Sequence, residues 1–129
     1  MNIQKNRNGS RGFTLVEIMI VVAIIGLLAA IAIPNFIKAR TTAQKSACIN
    51  NLQQIDSAIQ QWALEKKKGP TDDVVYDDIS VYMKRQVVCP AGGATFADSY
   101  TITKVNTAPL CQKVPSGTDA HALPPDTGS

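Results

Sequence analysis

Two regimes of hydrophobic patterning divide this chain. From Ile18 to Ile33, sixteen consecutive residues carry no polar side chain. Widening the window to Phe13–Ile37 gives twenty-five residues, with Glu17 the one ionisable side chain among them. At 1.5 Å per residue a helix of that length reaches ~37 Å, more than the ~30 Å hydrocarbon core of a bilayer. Residues 13–37 are therefore predicted as a membrane-spanning helix. Pro34 lacks a backbone N–H and clashes one turn back, so a kink is expected near it. Gly26 weakens the same helix.

Past Pro34 the pattern turns amphipathic. Ile37, Thr41, Gln44, Cys48, Leu52, Ile55, Ile59 and Trp62 share a stripe ~80° wide at ~100° per residue. The stripe becomes properly apolar from Cys48 onward, and that part should pack on the carboxy-terminal residues, with Cys48 as a buried thiol. Lys66, Lys67 and Lys68 put positive charge at the negative end of the helix dipole, and Gly69-Pro70 ends the run. Residues 38–68 are thus predicted as an amphipathic helix and 69–129 as a small globular domain.

That domain reads as loop-rich. Thr71, Asp72, Asp73 and Asp77 look like caps before a helix over 78–84. Short strands are expected over 94–97, 100–105 and 110–114, forming a small antiparallel sheet laid on the helix stripe. The fold class is α+β. The tail from Pro115 to Ser129 is rich in Pro, Gly, Ser, Thr and Asp, and is expected to be loosely held, with His121 at its surface.

Charge changes the picture at one end only. The net charge of +3 is supplied by Lys5, Arg7 and Arg11. The rest of the chain is balanced and has no concentrated basic patch, which argues against direct reading of nucleic acid. The basic leader would hold its end in the cytoplasm and send everything beyond about Ile37 outward. The three cysteines, Cys48, Cys89 and Cys111, with the single His121, match no zinc spacing. An outward-facing location permits a disulfide, and Cys89 and Cys111 bracket the small domain. Such a bridge would contribute ~3 kcal/mol. Pairing of Cys48 with either remains open. The acids at 72, 73, 77 and 78 raise calcium as a minor alternative, without EF-hand spacing. No other cofactor or metal is expected. With no nucleophile–base pair and no phosphate-cradling loop, an enzyme is not indicated.

Glu17 is the residue that needs explaining. An ionised acid at membrane depth costs ~2.5–3.5 kcal/mol on insertion scales, so such residues normally pair. This helix offers no cation. Cleavage between Gly12 and Phe13 would create one, the new amine of Phe13, one helical turn from Glu17. Residues 1–12 would then be a removed leader. The small residue, Gly12, precedes the apolar run, unlike an ordinary secretory signal, so cleavage leaves the helix on the mature chain.

The stretch RGFTLVEIMIVVAIIGLLAAIAIPNF, residues 11–36, resembles the amino-terminal segment of type IV pilins and type II secretion pseudopilins. The resemblance rests on Gly12, Phe13, Thr14-Leu15, Glu17 and Pro34-Asn35-Phe36. It implies a prepilin peptidase that cuts after Gly12 and methylates the Phe13 amine. It also implies assembly with copies of the chain through an inner-membrane platform, from a single-pass position in the inner membrane. Glu17 would pair with the Phe13 amine of a neighbour, and Pro34 would mark where the helix bends or melts. A disulfide near the C-terminus is also common in small pilin domains. The helix end, KKKGPTDD, departs from the aromatic turn of the common major pseudopilin, so pilus and secretion roles both stay open. A membrane-anchored binding module with no filament role is the alternative.

Overall fold

Thr14 starts the first helix. Its hydroxyl accepts the backbone N–H of Glu17 at 3.2 Å, which satisfies one of the amide donors a helix leaves free at its N-terminus. The computed structural model describes residues 12–125, and the leader with Lys5, Arg7 and Arg11 lies outside them, as does the end of the tail. Helix α1 runs from Leu15 to Lys66, 52 residues, with Pro34 inside it. The chain divides into two units, one ending at Ile37 and the other beginning at Lys38.

In the first unit the apolar side chains are uncovered. Leu15, Ile18, Ile25, Leu28, Ile31 and Phe36 are all exposed. α1 is the one helix among the described residues long and apolar enough to cross a membrane.

In the second unit α1 supplies one wall of a core. Cys48, Leu52, Ile55 and Ile59 are fully buried, and Ala58, Trp62 and Ala63 nearly so. The apolar part of the predicted stripe is therefore the buried face. Val74, Ile79, Val87, Cys89, Phe96, Tyr100, Val105 and Cys111 close over it. Tyr76, Phe96 and Tyr100 form a run of ring contacts with centroids 4.3 and 5.7 Å apart, within the spacing aromatic pairs favour.

The helix ends at Lys66, two residues before the Lys68 that Gly69-Pro70 implied. Lys67 takes the left-handed conformation, φ 53°, and the N–H of Lys68 reaches back to the Ala63 carbonyl at 2.8 Å. This is the six-to-one bond of a Schellman cap, with lysine where glycine is usual.

After the cap come two short turns of helix, α2 (Tyr76–Ile79) and a 3-10 turn (Ser80–Tyr82). The expected helix over 78–84 is thus displaced toward the N-terminus. The reason is Asp78, whose carboxylate accepts the Val75 N–H at 3.1 Å and fixes the start there. Asp72 in turn accepts the Gly69 N–H at 2.8 Å.

The strand expected over 94–97 is corrected: Phe96–Ser99 is a helical turn, α3. Thr95 accepts the Asp98 N–H at 3.2 Å, and Asp98 accepts the Ala94 N–H at 3.1 Å. The Thr95 side chain thus caps the turn, and Asp98 ties down the residue before it, which together outweigh a short strand propensity. The sheet is correspondingly small. β1 (Tyr100–Thr101) pairs antiparallel with β2 (Leu110–Cys111), with Tyr100 opposite Cys111. Residues 72–74 run beside 103–105, with Val74 N–H to Thr103 O at 2.9 Å and Val105 N–H to Asp72 O at 3.2 Å. The fold is α+β, a long amino-terminal helix with a small antiparallel sheet.

The tail is not loose over its described part. The His121 N–H bonds to the Val114 carbonyl at 2.9 Å, and Lys45 Nζ reaches the Thr118 carbonyl at 3.1 Å. His121 itself is buried rather than at the surface.

Candidate functional site

The amino-terminal segment presents the residues that sequence reasoning singled out on one accessible stretch. Gly12, Phe13 and Glu17 are all exposed. A Cβ on Gly12 would meet nothing within 4 Å. The fold therefore makes no demand for glycine there. Glu17 sits at the third helical position, where a carboxylate also complements the positive end of the helix dipole. Pro34 lies within α1.

The second candidate is a cluster that the spacings along the chain do not announce. Cys48 projects from α1, Cys89 from the loop before α3, Cys111 from β2 and His121 from the tail. Their ligand atoms all lie within 4.8 Å of one another, and all four residues are buried. The Cys89 and Cys111 sulfurs are 3.5 Å apart. His121 Nδ1 lies 3.6 Å from Cys89 Sγ and 3.9 Å from Cys111 Sγ. The three cysteines are free thiols. The two sulfurs suggested as a disulfide pair are thus brought together, and so are a third thiol and an imidazole.

Polar groups around the cluster point at its sulfurs. The backbone of Ala91 favours the thiolate of Cys89, and that of Val114 and Lys113 the thiolate of Cys111. The Tyr100 hydroxyl lies 3.6 Å from Cys48 Sγ. Asn51 Nδ2 donates to Tyr100 Oη at 3.0 Å and to the Val88 carbonyl at 3.1 Å. Because Val88 O only accepts, the amide group is the donor on that side, and its second hydrogen serves Tyr100. The tyrosine hydrogen is then left to point at Cys48.

The electrostatics follow from that arrangement. Burial pushes the Cys48 and Cys89 thiols up. Burial acts on Cys111 in the same sense, but the N–H groups of Val114 and Lys113 with the neighbouring thiols bring it below its ordinary value. One sulfur is thus favoured to ionise, and the others resist adding like charge beside it. Burial, then the Lys45 ammonium, hold the His121 imidazole below its usual value, partly offset by Asp119.

The four acids considered for calcium do other work in part. Asp72 and Asp78 accept backbone N–H groups, and Asp73 lies 3.6 Å from Lys104. Among the described residues they do not gather into a ligand group.

Comparison with known proteins bears on the amino-terminal segment. Residues 7–33 match the family profile described as the prokaryotic N-terminal methylation motif. The chain is 47% identical over 68 residues to type IV major pilin protein PilA of Myxococcus xanthus, covering 53% of this chain and 31% of that protein. It is 33% identical over 67 residues to type II secretion system core protein G of Klebsiella michiganensis, covering 52% and 47%. It is 48% identical over 59 residues to type IV major fimbrial protein FimA of Dichelobacter nodosus, covering 46% and 38%. Each is a pilin, fimbrial or secretion-system core protein, and none is an enzyme. The matches span less than half the length of these relatives. No solved structure matches the chain. The chain carries the prokaryotic N-terminal methylation motif, and across its amino-terminal half it is similar to type IV pilins and type II secretion core proteins.

Proposed function

We propose that the chain is a structural subunit of a type IV pilus-like filament, processed between Gly12 and Phe13 and assembled through its amino-terminal helix. The observation that carries the reading is an apolar helix whose large side chains from Leu15 to Phe36 stand exposed, interrupted by one acid a single turn from the cleavage junction. Such a surface needs lipid, then protein, as its surroundings. The new Phe13 ammonium, methylated or not, is basic and meets Glu17 of a neighbouring copy, which fixes the axial step between subunits. Before assembly the helix anchors the chain in the inner membrane with residues beyond Ile37 outside the cytoplasm. The partners are the peptidase that cuts and methylates, the assembly platform and further copies of the chain.

The test combines amino-terminal sequencing of the mature protein with electron microscopy of cells carrying Glu17→Val. The reading requires a mature chain that begins at methylated Phe13 and loss of filaments in the variant, with the protein still in the membrane. A mature protein that begins at Met1, or normal polymers from Glu17→Val, would refute it. A membrane-anchored binding module predicts the opposite ranking: Glu17→Val is silent, and surface changes in 71–129 abolish function.

A further inference from the structure

We infer that Cys48, Cys89, Cys111 and His121 form a tetrahedral metal site for a thiophilic divalent ion, zinc above all. The first ground is size. With ~2.3 Å Zn–S and ~2.0–2.1 Å Zn–N bonds, tetrahedral geometry sets S–S edges near ~3.8 Å and S–N edges near ~3.6 Å. The separations among three of the donors, 3.5 Å between Cys89 and Cys111 and 3.6 and 3.9 Å from the imidazole to those two sulfurs, lie close to those edges, and Cys48 Sγ is within 4.8 Å of all of them. Three thiols and one imidazole are also a donor set that zinc favours over harder ions.

The second ground is the outer layer of hydrogen bonds. The Tyr100 hydroxyl, held by Asn51, faces the Cys48 sulfur. Donors aimed at sulfur stabilise thiolate and orient a metal ligand. They gain little from a neutral disulfide. A bridge between any two of the cysteines would also leave a buried thiol and a buried imidazole crowded against it.

Charge completes the argument. Three thiolates within 4.8 Å of one another would repel strongly in a buried setting, and a dication removes that repulsion. Binding releases three thiol protons to solvent and forms three metal–sulfur bonds and one metal–nitrogen bond. The site then carries one net negative charge. The Lys45 ammonium, which acts on His121 electrostatically and is held on the Thr118 carbonyl, lies on hand to offset it. The ion would join α1, the loop before α3, β2 and the tail at a single point, a strong cross-link for so small a core.

The experiment uses the full processed chain, extracted from membranes in detergent without a polyhistidine tag and kept from oxygen. Metal is counted by mass spectrometry, and the apoprotein is titrated with zinc and separately with cobalt(II). The expected result is one zinc per chain and, with cobalt, the near-ultraviolet charge-transfer and visible ligand-field bands of a tetrahedral thiolate site. His121→Ala should weaken zinc binding and alter the cobalt spectrum. Tyr100→Phe, which leaves all four ligands in place, should weaken zinc binding by about tenfold. The proposal is overturned if the apoprotein takes up no zinc and peptide mapping finds Cys89 joined to Cys111. It is equally overturned if zinc binds with the same affinity when His121 and Cys48 are replaced together.

Discussion

The tightest backbone approach in the carboxy-terminal unit is at Gly93, and it makes a quantitative prediction. A Cβ added there would fall 2.8 Å from the Cys89 nitrogen, 3.0 Å from its carbonyl oxygen, and well inside contact distance of Ser99 Oγ. None of these neighbours yields easily. The Gly93 N–H is itself bonded to the Cys89 carbonyl at 2.8 Å. Ser99 is fully buried, and its hydroxyl donates to the Thr95 carbonyl at 2.7 Å. Overpacking a site of this kind costs ~1–3 kcal/mol. Displacing the serine hydroxyl from its bond adds ~0.5–1.5 kcal/mol. Gly93→Ala should therefore destabilise the folded chain by ~2–4 kcal/mol. The assay is denaturant unfolding in detergent, followed through Trp62, the one tryptophan, which is buried in the core. In a double-mutant cycle, Ser99→Ala should recover part of the loss, because it removes one of the clashes and leaves the contact with the Cys89 backbone. Gly92→Ala is the control. It meets nothing within 4 Å but has φ +114°, so its cost arises from backbone strain and should be insensitive to Ser99. A Gly93→Ala chain within ~0.5 kcal/mol of the parent would refute the reasoning.

Other outcomes follow from the same packing. Lys67→Gly should raise stability by ~0.5–1 kcal/mol in the same unfolding assay, because glycine adopts the left-handed cap without the steric cost of a Cβ. Ile59→Ala, at a fully buried position on the core face of α1, should cost ~2–5 kcal/mol by the same measurement. Lys113, then the Ala94 N–H, hold the Asp98 carboxyl below its ordinary value. The unfolded chain therefore binds that proton more readily, and the stabilising effect of Asp98 is present above the ordinary carboxylate value and lost as pH falls toward the lowered one. An acid titration of stability should show that loss in the parent and not in Asp98→Asn.

The long helix was legible because its signals are local and redundant. An apolar run, a stripe at helical spacing and a lysine-rich end each point the same way over many residues. The buried face from Cys48 to Trp62 could be read for that reason. The small domain was less legible because its elements are two to four residues long and are decided by single side chains. Thr95 and Asp98 turn an apparent strand into a helical turn, and Asp78 moves another helix start. The thiol–imidazole cluster was the hardest to see. Its donors come from four segments, so no short motif marks it. His121 lies in a stretch whose composition reads as a tail, and its burial depends on a turn through Gly117 and Ala120, which returns the chain to Val114. The available signal was indirect: a cysteine at the centre of the apolar stripe with no assigned partner.

The burial of His121 also sets an order of events as the chain is synthesised. The core cannot close until residue 121 has emerged. A ribosome that stops short of this point, or a protease that trims past it, would leave a product with an open interior. Quality control could therefore distinguish chains that reach His121 from shorter ones by the fold itself.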